Sequence, residues 1–177
     1  MKEYLVLSGM GPDRPGIAKA ISEAAYKSGC SIEDSRMAVL GGEFAILVLL
    51  EGKKSSVGEF AGQLRALEKE TGLTLAVRAT SPHPAYHVKK GLPYRIMVVG
   101  MDRTGIVFRV TELLARHGIN IESLETEARH APVTGTPMFH MTITAEVPSE
   151  VPVRKIRKEL AALCDELNMD YTLEAQT

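Results

Sequence analysis

The chain has 177 residues, 45% hydrophobic and 24% charged, with a net charge of −1, the make-up of an ordinary globular protein. Charge is balanced in both halves, so neither offers the basic face that broad nucleic-acid or anionic-membrane binding needs. There is no opening signal segment and no apolar run approaching about 18 residues, so the sequence reads as cytoplasmic, neither secreted nor membrane-spanning; Cys30 and Cys164, without a CxxC partner, read as reduced thiols.

Residues 4–8 read as a buried strand. Ile17, Ala20, Ile21, Ala24 and Ala25 recur at helical spacing and predict a helix with one apolar face, with Pro15 in its first turn and Gly29 as its stop. Residues 35–40 and 43–51 make two strands joined by a tight Gly41-Gly42 turn. The unbroken apolar run 44–50 suits a central strand. Ser56 and Glu59 form a capping box ahead of Val57, Phe60, Ala61, Leu64 and Leu67, which predict one amphipathic helix stopping at Gly72. Residues 73–80 supply a last strand, and the order is βαββαβ.

Residues 81–93, with Pro82, Pro84, Gly91 and Pro93, read as a linker. His83 and His87 within it read as solvated, because the prolines disfavour the helix that their spacing would need to bind a metal. The order then repeats. Residues 94–99 form a strand, and Ile106, Val110, Leu113 and Leu114 mark a helix ended by Arg116, His117 and Gly118, with cations suited to its C-terminal dipole. Residues 120–130 form a strand in which Leu124, Thr126 and Ala128 alternate against a wet face, and 131–137 is a longer loop than its Gly-Gly counterpart. Phe139, Met141, Ile143 and Ala145 alternate in the next strand. Ile156, Leu160, Leu163 and Leu167 mark the last helix, with Pro152 in its first turn, and 169–174 closes the unit. Laid without gaps over 100–123, residues 11–34 share nine identities in 24 positions. A spacing of 89 residues suits a duplicated small domain and is too long for a solenoid unit. The expected fold class is therefore α+β: two tandem ferredoxin-like βαββαβ domains, residues 1–80 and 94–177, with 81–93 between them.

Each first helix is entered through Gly-x-Asp-Arg-x-Gly-Ile: Gly11-Pro12-Asp13-Arg14-Pro15-Gly16-Ile17, and Gly100-Met101-Asp102-Arg103-Thr104-Gly105-Ile106. A strand that breaks at glycine and enters a helix aims free backbone N–H groups at one spot, which attracts a carboxylate or a phosphate. A nucleotide is disfavoured. Ile17-Ala18 and Ile106-Val107 stand where a P-loop needs Lys-Ser/Thr, and Gly9-x-Gly11 lacks the third glycine of a dinucleotide fingerprint. What is left is an N–H cup beside one acid and one base, suited to a small zwitterion. From the residues alone a structural alternative stays open, with Asp13 and Asp102 capping first-turn N–H groups and Arg14 a solvated charge.

The strand–Gly-x-Asp-Arg-x-Gly-Ile–helix pattern, followed by Gly29-Cys30-Ser31-Ile32 and Gly118-Ile119-Asn120-Ile121, resembles the ACT domain, a small-molecule regulatory module. Two in tandem over nearly the whole chain resemble the glycine cleavage system transcriptional repressor group. The resemblance implies a small amino acid, glycine or serine before larger ones, held between the strand–helix loop of one unit and a neighbouring unit across a side-by-side sheet. It assigns Gly11, Pro12, Asp13, Arg14, Pro15, Gly16 and Ile17 to one loop, and Met101, Asp102, Arg103, Thr104, Gly105 and Ile106 to the other. Ser31, Ile32, Asn120 and Ile121 fall where the family brings partner residues. Thr104 stands where the family has proline, and the first loop holds one more residue between strand and Asp, so the two cups are expected to differ.

No nucleophile–base pair or metal cluster is legible, so no enzyme activity and no cofactor are expected. An acylphosphatase-like use of the fold would want an Asn near the loop arginine. An RNA-binding use would want sheet-face aromatics and basic charge, against an aromatic content of 5%. With no helix-turn-helix or basic recognition helix, transcriptional control would be indirect, through a protein partner such as a transcriptional activator of glycine cleavage genes. Exposed sheet edges favour sheet-edge or helix-face pairing of the two units, and a homodimer. The expected protein is a ligand-sensing regulator with no direct nucleic-acid or membrane contact; the alternative is a dimerisation scaffold with no ligand.

Overall fold

The computed structural model of the chain describes residues 2–81, 91–130 and 135–176. Most of the expected linker, with His83 and His87, and the start of the expected loop 131–137 lie outside the described residues. The chain divides into two compact units, residues 1–86 and 87–177. The first contains β1 (Lys2–Pro12), α1 (Ile17–Lys27), β2 (Ser31–Leu40), β3 (Glu43–Lys53), α2 (Lys54–Gly62), α3 (Leu64–Thr71) and β4 (Thr74–Thr80). The second contains β5 (Gly91–Met101), α4 (Ile106–Arg116), β6 (Asn120–His130), β7 (Pro137–Pro148), α5 (Val153–Leu167) and β8 (Met169–Ala175). Their sheets run β2-β3-β1-β4 and β6-β7-β5-β8, antiparallel throughout. Each is a ferredoxin-like βαββαβ unit and the class is α+β.

Period-two alternation decides which residues enter each core. Along β3, Phe44, Ile46, Val48 and Leu50 turn inward to meet Leu5 and Leu7 of β1, with Ile17 and Ile21 of α1 and Phe60 of α2 in the same cluster. Along β7, Met141, Ile143, Ala145 and Val147 meet Ile96 and Val98, closed over by Val110, Leu114, Ile156 and Leu160. A fully buried side chain of this size contributes about 1.5–3 kcal/mol, so each cluster stabilises its own unit. The edge strands β2 and β6 carry the same irregularity, a register shift between Ile32 and Asp34 and between Ile121 and Ser123. That bulge frees one residue, Glu33 or Glu122, from the pairing and twists the strand.

Several local expectations are corrected. β5 begins at Gly91 rather than at 94, with Gly91 paired to Pro148 and Pro93 to Glu146. The single helix expected after β3 is two. α2 starts at Lys54 with Lys53 as its N-cap and no side-chain cap, so Ser56 and Glu59 form no capping box. It ends at Gly62, and Gln63 joins it to α3. Glycine at positions 58 and 62 weakens helix continuation at this point, and Gln63 is drawn to α1, where its Nε2 donates to Ser28 Oγ at 3.2 Å. Pro152 is the N-cap of α5 and not a first-turn residue.

Candidate functional site

β1 does not break at its glycines. It runs through Gly9 and Gly11 to Pro12, and Gly11 is needed because a Cβ there would stand 2.8 Å from the Gly72 carbonyl oxygen. The chain leaves the sheet at Asp13, whose backbone N–H donates to the Gly42 carbonyl at 3.0 Å, and enters α1 through Gly16 at φ 96°. The second corner repeats this, with Asp102 N–H donating to the Pro137 carbonyl at 3.2 Å and Gly105 at φ 95°. A residue with that φ cannot lie inside a right-handed helix. The helices therefore start at Ile17 and Ile106, and Pro15 and Thr104 precede the N-caps instead of occupying the first turn.

Neither helix has a side-chain cap. The first helical bonds are Ala20 N–H to Gly16 O at 2.9 Å and Arg109 N–H to Gly105 O at 3.0 Å. The amides of Ile17, Ala18 and Lys19, and of Ile106, Val107 and Phe108, come before the ladder and point outward from the helix end. Asp13 and Asp102 are exposed and do not cap them, so the capping role open at the sequence level is excluded. Three first-turn amides at each corner are thus left without an acceptor within their helix. Ile17 and Ile106 contribute only backbone here, since their side chains are 3% and 1% exposed in the cores.

The two motif arginines differ. Arg14 is not a free charge: its Nε donates to the Thr71 carbonyl at 2.8 Å and its Nη2 to the Glu70 carbonyl. These are the last carbonyls of α3, the negative end of its dipole. Gly72, at φ 73°, lies directly beneath, where a Cβ would come within 3.1 Å of Arg14 Nη2. The guanidinium thus ties the corner to the end of α3. Arg14, Pro15, Gly16 and Ile17 line one wall of an open cleft of about 340 Å³, with Lys19, Glu23, Glu70 and Thr71 on the others. Arg103 is exposed and, among the described residues, makes no hydrogen bond or ion pair. In the second unit the helices are tied by Arg109 of α4, which donates to both carboxylate oxygens of Glu166 at 2.9 and 2.7 Å. The hydrogen bond from Arg109 and its charge hold Glu166 below the usual carboxylate range. His117 Nε2 and Glu159 Oε2 form a second tie at 2.9 Å. None of these ties was signalled by motif. Arg109 and Glu166 lie far apart in sequence, and the position equivalent to Arg109 in the first unit is Ala20.

Ser31, Ile32, Asn120 and Ile121 are not brought to the corner of their own unit. Ile32 pairs with Leu50, whereas the corner's Gly11 pairs with Phe44, whose other partner is Val39. The stretch of β2 between Ile32 and Val39 spans about 23 Å at strand rise. In the second unit Ile121 pairs with Ala145, and Gly100 with Phe139, whose other partner is Ala128, the same separation. Among the described residues no group of three His, Cys, Asp or Glu is placed to hold a metal ion, and no helix is long and apolar enough to cross a membrane.

Residues 3–78 match a family model described as ACT domain, and residues 94–165 match a second with the same description. The chain is 31% identical over 167 residues to the glycine cleavage system transcriptional repressor of Escherichia coli (strain K12), covering 94% of this chain and 87% of that protein. The protein of the same name from Shigella flexneri matches to the same extent. Among solved structures, an unknown protein from Galdieria sulphuraria superimposes with a TM-score of 0.82 at 30% identity, with both chains covered completely.

Proposed function

Because the chain belongs to the ACT-domain family, with two such domains in tandem, we propose that it is a non-catalytic regulator that senses a small amino acid and acts through a protein partner. The observation that carries this reading is the pair of uncapped, glycine-entered helices, whose first-turn amides have no side-chain acceptor. A carboxylate satisfies such amides and gains from the helix dipole. In the ligand complex the amides of residues 17–19 or 106–108 take the carboxylate, and Asp13 or Asp102, or a main-chain oxygen, takes the ammonium. Arg103, without a partner among the described residues, is placed to assist at the second corner, while Arg14 is engaged at the first, so the two sites differ in affinity. The name of the Escherichia coli relative favours glycine, then serine, as the ligand and a transcriptional activator of glycine cleavage genes as the partner, in the cytoplasm.

A homodimer completes the site. Two-fold pairing along the free edge of β2 sets Ser31 and Ile32 of one strand opposite the corner end of the other, which is how residues some 23 Å away in their own unit reach a corner. Met37 and Val39, on the helix side of β2 and 46% and 53% exposed, give that edge an apolar flank. The structural engagement of Arg14 favours one other reading, a ligand-free dimerisation scaffold. Thermal melts of the wild type with each of the twenty amino acids separate the two. At a hundredfold excess over Kd one site adds about 2.7 kcal/mol of stability, and if no amino acid moves the melt at millimolar concentration the sensing reading fails.

A further inference from the structure

The helices of the first unit cover one face of its sheet; the other face is open. The antiparallel register assembles on that open face Ala38 and Leu40 from β2, Ala45, Leu47 and Leu49 from β3, and Val6 and Met10 from β1. Leu40 is 73% exposed, Met10 62% and Leu47 52%. The second unit is an internal control, because it has the same fold and register. At the positions equivalent to Ala38, Leu40, Ala45, Leu47 and Leu49 it carries Glu127, Arg129, His140, Thr142 and Thr144. The fold itself therefore does not ask for apolar residues there, and large contiguous apolar surface on a soluble domain marks a contact.

We propose that this face is a self-association surface on which a second copy of the chain packs, sheet against sheet, about a two-fold axis. Sheets apolar on both faces are stable when layered on both sides. The identity of the occupant follows from the rim. Beside the apolar patch the same face carries Asp34 ion-paired to Arg36, with Glu43 and Arg78, which has no ion pair among the described residues, at its borders, and Lys2 ion-paired to Glu51. A nucleic acid or a strongly acidic or basic partner calls for one sign. A two-fold contact calls for both on one patch, since each charge meets the surface that bears its opposite. The surface lies on the reverse side of β2 from Met37 and Val39, so it is separate from the edge proposed above and does not depend on ligand binding.

Sedimentation velocity of the full chain without amino acid, over a micromolar concentration series, tests it with three proteins: wild type, Leu40→Asp with Leu47→Asp, and Met37→Asp with Val39→Asp. The wild type is expected to associate, and the Leu40/Leu47 variant to dissociate at concentrations about a hundredfold higher, because a two-fold contact loses each leucine twice. The Met37/Val39 variant is expected to keep association through the face. Should the aspartates prevent folding, Leu40→Arg with Leu47→Thr, the residues that the second unit carries, replaces them. A wild type that is monomeric throughout, or a Leu40/Leu47 variant that sediments as the wild type at every concentration, overturns the proposal.

Discussion

Replacing Arg14 with alanine separates what the first corner does for the fold from what it does for a ligand. The substitution removes two hydrogen bonds donated to the last carbonyls of α3 and a cation from the negative end of that helix. Hydrogen bonds from a charged group are worth about 1.5–3 kcal/mol where solvent is excluded, and a cation at a helix C-terminus about 0.3–1 kcal/mol. Arg14 is exposed, so screening reduces both, and a loss of about 1–2 kcal/mol is expected for the first unit. Arg103→Ala removes only an exposed charge and should stay within about 0.5 kcal/mol. For a domain of this size each kcal/mol moves the melting midpoint by about 4–8 °C, so the two variants are distinguishable by calorimetry. Gly72→Ala is an independent check. It strains a backbone at φ 73° and pushes on Arg14 Nη2, so its cost and that of Arg14→Ala should sum to more than the double variant loses. Equal destabilisation by Arg14→Ala and Arg103→Ala would refute the clamp.

Gly11→Ala is expected to cost about 1–3 kcal/mol in urea melts, because its Cβ meets the Gly72 carbonyl oxygen at 2.8 Å, a backbone atom that cannot swing aside. Gly9→Ala meets the tip of Leu75 at 2.4 Å, which can rotate, so it should cost less; the reverse order would contradict the packing described. Burial pushes the Cys164 thiol up to about 11, and burial and then the Glu59 charge raise that of Cys30. At about pH 8 neither should react with a maleimide until the chain is unfolded, and labelling of the native protein at free-thiol rates would show that one of the two clusters opens.

The duplication, the element order and both core faces were legible because they rest on periodicity. Phe44, Ile46, Val48 and Leu50 turn inward in a central strand, as the apolar run predicts, and Gly29, Gly72 and Gly118 follow helix ends at positive φ. The corner was legible as a motif but not in its geometry. Glycine has two physical uses, a positive φ at Gly16 and a missing Cβ at Gly11, and the sequence does not say which applies, so a continuous strand was expected to break. Arg14 looked like a surface charge because its acceptors, the carbonyls of Glu70 and Thr71, are backbone atoms more than 50 residues away that leave no side-chain signature. The α2–α3 break was hidden for a similar reason: a capping-box pattern at Ser56 and Glu59 fits a helix start, but the helix had already begun at Lys54.

The central claim is that a small amino acid puts its carboxylate on the uncapped first turn of α1 or α4, and an amide-resolved titration tests it most directly. Glycine, then serine, is added to the ¹⁵N-labelled chain while the backbone amides of residues 16–19 and 105–108 are followed. Saturable shifts that begin at one or both of these segments, and that spread to Ser31-Ile32 or Asn120-Ile121, are the expected result. Saturable shifts confined to other parts of the chain, or no shifts with any amino acid at millimolar concentration, would contradict it.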